Sequence, residues 1–329
     1  MSENIQNLSV CADTLQKLRE NISKVIVGKE QTVNLLLVCL AAGGHALIED
    51  VPGTGKTMLA RSLAASASLS FSRIQFTPDL LPSDVTGLNY FDQSVSRFEF
   101  RAGPVFCHIL LADEINRATP RTQSALLECM AEHQVTVDGK TRPLEDPFFV
   151  IATQNPVETL GTFPLPEAQL DRFFMQISMG NMSVDEELRM IDRFIDAQPL
   201  ETLEACCSIE EIRALQKACR KVYVHPDLRR YITELIQRTR NLAGSLNPRM
   251  EEGVSPRGTL ALVRASQGFA MLQGRAFVTP EDIQACAVPA LAHRCLSAGI
   301  SSTREKEERI RSALAQTEVP TEDWKRGLL

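Results

Sequence analysis

Apolar residues recur along this chain with two different periods, and the switches between them outline its elements. Residues 11–24 carry Leu15, Leu18 and Ile22 at helical spacing, behind a polar stretch, 1–9, expected to be loose. Residues 29–42 read as a strongly apolar helix. Short apolar runs bounded by turn residues then read as buried strands: 46–48, 72–76, 109–112, 148–152 and 173–177. Helical segments lie between them, including 120–132 with Leu126, Leu127 and Met130 on one side. This alternation predicts an α/β domain with a parallel central sheet.

Two stretches break the pattern. Tyr90-Phe91 and Arg97–Phe100, separated by Asp92-Gln93-Ser94, predict a hairpin insert at about 84–101. Gln134–Val137 turning at Asp138-Gly139 predicts a second. Ser183, with Glu186 three residues on, starts a helix to about Ala197. Beyond Pro199 the pattern is all helical, with starts at Ser208, Pro226, Ser255-Pro256-Arg257 and Pro280-Glu281-Asp282. The expected division is 1–198 for the α/β domain and 199–329 for a small all-α domain. Residues 302–316 read as a charged helix, for which a solvated tail is one reading and a structural role is left open.

Composition narrows the class. At 329 residues the chain has room for two domains, and 44% apolar and 23% charged residues are ordinary for a globular protein. A net charge of −6 argues against general nucleic-acid or anionic-membrane binding, leaving at most a local basic strip. Nine cysteines show no metal-ligand or redox spacing; Cys39, Cys107 and Cys219 lie in apolar runs and read as core. With no apolar run of membrane-spanning length and no secretory start, a reduced cytoplasm is the expected compartment.

The chemistry gathers at strand ends. After Ala46–Ile48 comes Glu49-Asp50-Val51-Pro52-Gly53-Thr54-Gly55-Lys56-Thr57, then the helix-favouring stretch from Met58. A strand, a glycine turn and a helix start make an anion site: the first N–H groups are unpaired and the helix dipole favours negative charge. Gly53 and Gly55 allow positive φ and close backbone approach. Lys56 would reach the β- and γ-phosphates, and the Thr57 hydroxyl would bind Mg²⁺. Asp50 stands where the strict pattern has glycine. Ile109–Ala112 runs into Asp113-Glu114, where Asp113 would hold Mg²⁺ and Glu114 would orient the attacking water. Phe148–Ala152 ends in Thr153-Gln154-Asn155-Pro156, and Asn155 would contact γ-phosphate and water.

Taken in order, Val27-Gly28-Lys29, Asp50–Thr57, Asp113-Glu114-Ile115-Asn116-Arg117-Ala118, Ala152–Pro156, Leu165–Phe173 and Ser255-Pro256-Arg257 resemble the MoxR branch of the AAA+ ATPases, in the clade with an insert in helix 2. The likeness spans about residues 20–295. It implies ATP and Mg²⁺ as ligands, with Val27 and Gly28 against adenine. Pro52, Gly53, Thr54, Gly55, Lys56, Thr57 and Met58 would grip the phosphates, and Thr57 and Asp113 the metal. Arg172 resembles an arginine finger inserted into a neighbour's site, and Arg257 a second sensor coupling the γ-phosphate to the helical lid. A ring, a hexamer in such proteins, is implied, with the second hairpin near its pore. So is chaperone-like remodelling of a client complex with a von Willebrand factor A domain partner. A nucleic-acid motor, a magnesium-chelatase-like motor subunit and a non-hydrolysing scaffold are the alternatives.

Overall fold

The computed structural model describes residues 2–51, 53–94, 96–156, 161–241, 253–296 and 302–320. Two helices open the chain, α1 (Ser2–Ser23) and α2 (Glu30–Ala42). The stretch expected to be loose is therefore helical from residue 2. Leu8 and Cys11 are buried and continue the stripe of Leu15, Leu18 and Ile22, so the apolar face starts earlier than the polar composition suggests. Gly43 ends α2 with φ 67°, and a Cβ on Gly44 would lie 2.4 Å from that of Phe174, so both positions need glycine.

β1 (Ala46–Glu49) leads through the phosphate loop into α3 (Lys56–Ser66) and β2 (Phe71–Gln75). A short helix, α4 (Pro82–Thr86), carries the hairpin β3 (Gly87–Asp92) and β4 (Arg97–Ala102). β5 (Ile109–Asp113) and α5 (Pro120–Glu132) come next, then the second hairpin, β6 (Gln134–Val137) and β7 (Lys140–Pro143). β8 (Phe149–Gln154), the one-turn α6 (Glu167–Leu170) and β9 (Met175–Ile177) complete the α/β part.

The central sheet is parallel throughout, in the order β2-β5-β8-β1-β9. Its strands are apolar without a break because both faces are covered. Ile48, Leu111 and Ile151 enter one core with α1, α2 and the later helices; Leu47, Leu110 and Val150 enter a second core with α5. Burial relaxes at the carboxyl ends, where Glu49, Asp113 and Gln154 are half-buried.

After β9 the described chain is mainly helical: α7 (Val184–Phe194), α8 (Ile209–Cys219), α9 (Pro226–Asn241), α10 (Pro256–Leu272), α11 (Pro280–Leu291) and α12 (Thr303–Gln316). A two-stranded ribbon, β10 (Gly253–Val254) and β11 (Cys295–Leu296), joins them. Capping boxes start α7 (Ser183 with Glu186) and α8 (Ser208 with Glu211). α8 and α10 pack on α1 and α2, so one apolar core runs from the first helices into the lid. The solvated-tail reading fails at α12. Ile310 and Ala313 are buried, Lys306 pairs with Glu167 at 2.8 Å, and Thr303 donates to Glu49 beside the phosphate loop. Charge dominates its sequence because one narrow apolar stripe suffices to dock it.

One buried group makes stability depend on pH. His45 receives a hydrogen bond at Nδ1 from Val150 N (3.1 Å) and donates from Nε2 to the Met130 carbonyl (3.1 Å). A proton on Nδ1 would face the Val150 N–H, and burial pushes the imidazole pKa down to about 4. The folded value lies below the unfolded one, so the unfolded chain binds the extra proton. The stabilisation is complete above about pH 6.5 and is lost as pH falls toward 4, amounting to about 3 kcal/mol. Thermal melts across that window should show a shallower acid loss for His45→Gln than for wild type; parallel curves would refute the assignment.

Candidate active site

Two glycines shape the phosphate loop. Gly53 (φ 85°) and Gly55 (φ 90°) adopt the left-handed backbone, and a Cβ on either would meet nothing within 4 Å. Glycine is needed there for backbone hand, and the open space above is what a polyphosphate would fill. Lys56 Nζ donates to the Asp50 and Val51 carbonyls at 2.9 and 3.1 Å, so these oxygens stand where phosphate oxygens would compete for the ammonium. Thr57 and Met58 lie in the first turn of α3, and Pro52 lies outside the described residues.

Asp50, the departure from the glycine pattern, has a structural use. Its Oδ2 accepts from the Met179 and Gly180 N–H groups at 2.9 and 3.1 Å, tying the loop to the segment after β9. Val27 is buried, and Gly28 (φ 68°) sits under the Glu186 side chain, whose Cδ would lie 2.5 Å from a Cβ there.

Asp113 and Glu114 end β5 two strands from β1, with β8 and Asn155 between them. At about 4.8 Å per strand, loop and carboxylates are roughly 10 Å apart, the scale of a triphosphate with its metal. Asp113 Oδ2 pairs with Arg73 at 2.6 Å and Oδ1 accepts from Thr153 Oγ1 at 2.6 Å. Thr153 Oγ1 in turn accepts from the Glu114 N–H at 2.8 Å. Glu114 is itself left-handed (φ 55°, ψ 51°), an uncommon state for a side-chain-bearing residue, which turns it out of the strand direction. Gln75 (2.7 Å) and Arg117 (2.9 Å) hold its carboxylate. Asn155 is buried, its carbonyl in contact with Asn116 Nδ2 at 3.5 Å.

Arg73, Gln75, Arg117 and Thr153 complete this network, and sequence reasoning missed them. Gln75 pairs in register with Asp113, but only the strand order makes that visible. Among the described residues no cluster of three or more His, Cys, Asp or Glu side chains forms a cage for a metal. The candidate donors, Thr57 at the loop and Asp113 at the end of β5, suit Mg²⁺, which uses one or two protein oxygens and takes the rest from phosphate and water.

Arg172 and Arg257 lie elsewhere. Arg172 precedes β9, which runs parallel to β1 with Met175 opposite Ala46, so it sits where the strands begin and the phosphate loop where they end. It is exposed, contacts the Ala168 carbonyl (3.2 Å), and pairs with neither Asp171 nor Glu167. Arg257 lies beside it, 3.5 Å from Asp171, whose other oxygen is held by the buried Arg294 at 2.8 Å. Both line a cavity of about 380 Å³ with Gly43, Gly44 and His45. The lid arginine is therefore grouped with the finger candidate, away from its own phosphate loop.

Residues 45–175 match the family described as ATPases associated with various cellular activities (AAA), and residues 245–313 the AAA lid domain. The chain is 50% identical to an uncharacterized protein, YeaC, of Bacillus subtilis, over 86% of this chain and 87% of that one. It is 38% identical to the chaperone MoxR1 of Mycobacterium tuberculosis, over 88% and 77% of the two chains. The MoxR protein of Paracoccus denitrificans is 34% identical, over 83% and 86%. A crystal structure from Cytophaga hutchinsonii, described as a candidate ATPase, superposes with a TM-score of 0.85 at 38% identity, covering 96% of this chain and 98% of that one. No helix among the described residues is long and apolar enough to cross a membrane. The glycine loop, the paired carboxylates at the strand ends, the helical lid and these relatives place the chain in the MoxR family of AAA+ ATPases.

Proposed function

We propose that this protein hydrolyses ATP with Mg²⁺ as one subunit of a ring, a hexamer by family resemblance, and uses the cycle to remodel a client complex in the cytoplasm. One observation carries the reading: the phosphate loop with Asp113, Glu114 and Asn155 occupies one end of the sheet, and Arg172 the other. A cation there cannot stabilise charge on its own subunit's nucleotide, yet a neighbour stacked head to tail would bring it to the next site. Arg257 shares that edge, so its sensing role is assigned to the neighbour's γ-phosphate as well. Lys56 and Thr57 bind phosphate and metal, Asp113 takes the metal, and Glu114 accepts a proton from the attacking water. Val27 and Gly28 border the base, and Met58, in the first turn of α3, belongs with the phosphate loop. The domain division stays at 198/199, with nucleotide chemistry in the first part.

Client or partner contact belongs to the insert hairpin. Phe91 and Phe98 stand opposite each other on β3 and β4, edge to face at 5.3 Å and 51% and 72% exposed. Nearer its base the same face is used internally: Phe100 packs on Phe106 and lies 3.7 Å under the Arg142 guanidinium. Asn89 also donates to Asp138 of the second hairpin at 2.6 Å, coupling the two hairpins. An exposed aromatic pair on a braced hairpin suits a protein contact, and the von Willebrand factor A partner expected from the family is the first candidate. Replacing Phe91 and Phe98 with Ser should leave basal hydrolysis and melting temperature near wild type while partner-dependent activity falls. A large drop in melting temperature would show that the rings belong to the core and remove the proposal.

A further inference from the structure

Helix α7 is amphipathic the wrong way round for a helix serving its own subunit. Successive residues turn by about 100°, so Val184, Leu188, Ile191 and the capping residue Ile195 fall in one stripe. All four face solvent, 74%, 54%, 51% and 70% exposed. The polar side faces the body instead: Glu186 covers Gly28, and Arg193 donates to the Ser23 carbonyl at 2.5 Å. Glu186 and Arg193 are the only α7 residues that are even half-buried. A stripe of four large aliphatics aimed away from the molecule, flanked by the exposed acids Asp185, Glu187 and Asp192, is built to be covered by something.

A matching surface exists on the same chain, out of its own reach. On α10, Arg257, Leu260 and Arg264 stand at i, i+3 and i+7, on one face. Leu260 is 64% exposed, and Arg257 and Arg264 flank it, with Arg172 lining the same cavity. The face is an exposed aliphatic between guanidiniums, the charge complement of an aliphatic stripe between carboxylates. It lies with Arg172 where the strands begin, whereas α7 comes after β9 where they end. The two cannot meet within one subunit but can between copies related head to tail.

We infer that the apolar stripe of α7 docks on the α10 face around Leu260 of the next copy in the ring. The inference rests on the head-to-tail reading above and adds what holds the subunits in register. α7 borders the nucleotide site: Met190 and Phe194, with the inner edges of Ile191 and Ile195, share a groove with Met58. Docking there would therefore bring Arg257 and Arg172 of one copy toward the phosphates of the other.

The experiment combines assembly and cross-linking. A Val184→Asp, Leu188→Asp variant should keep its melting temperature and its nucleotide affinity, since both side chains are more than half exposed and neither lines the groove with Met58, while sedimentation shows loss of the ring. A ring that persists overturns the inference. Separately, a chain carrying both Leu188→Cys and Leu260→Cys should give a ladder of disulfide-linked subunits on mild oxidation, which neither single variant gives. Absence of the ladder in assembled protein overturns the pairing with α10. Cross-linking needs no ATP turnover, so it can succeed where the trans-arginine reading fails, and the two failures are distinguishable.

Discussion

Lys56→Ala is expected to abolish nucleotide binding, and Glu114→Gln to abolish turnover while leaving ATP bound. The two residues fail differently because they act on different species. Lys56 supplies the only cation within the phosphate loop, and its ammonium already sits on the Asp50 and Val51 carbonyls, placed to transfer to phosphate oxygens. Truncation removes the charge and leaves an anion to be held by N–H groups and the helix dipole alone. Glu114 is held by Gln75 and Arg117 on a left-handed backbone next to Asp113. An amide in its place keeps size and shape but cannot accept the proton from water. Equilibrium nucleotide binding and steady-state hydrolysis, measured on both variants, check this. A Glu114→Gln protein that hydrolyses ATP at the wild-type rate would show that another group is the base.

Arg172→Ala should lower hydrolysis by about 10³-fold or more, judging from arginine fingers in general, with little change in ATP affinity. The side chain is exposed and reaches only a carbonyl among the described residues of its own subunit, so its loss leaves that subunit intact. The sharper test mixes Arg172→Ala with Lys56→Ala. Each mixed ring contains interfaces where an intact loop faces an intact arginine, and activity should return at those interfaces alone. A purely structural role in the Arg172 subunit would give no recovery. No recovery despite proven subunit exchange would rule out action in trans.

The parallel sheet and its nucleotide end were legible in the sequence. The unbroken apolar runs at 46–48, 109–112 and 148–152 report strands covered on both faces, and each ends in polar residues at the carboxyl edge of the sheet. The glycine turn at Gly53 and Gly55 and the helix start at Lys56 were legible because the loop is local: one turn and one helix start contain it. The capping boxes at Ser183 and Ser208 were local too. The first helix was partly misread because polar composition at 2–9 hid the continuation of a stripe through Leu8 and Cys11.

What only the tertiary structure decided involves residues far apart in the chain. Arg73 reaches Asp113 because β2 lies beside β5, and Thr153 bridges Asp113 to Glu114 because β8 lies on its other side. Asp50 reads in sequence as a lost glycine, and in space as the tie to Met179 and Gly180. Residues 302–316 read as a solvated tail until α12 docks on α9 and α11 and sends Thr303 to Glu49. Arg257 carries no sign in its motif of its neighbours; packing α10 on α2 decided them, by setting it beside Arg172. Periodicity and turn chemistry act over a few residues and so can be read from the chain, whereas strand order and helix docking depend on burying distant apolar faces together.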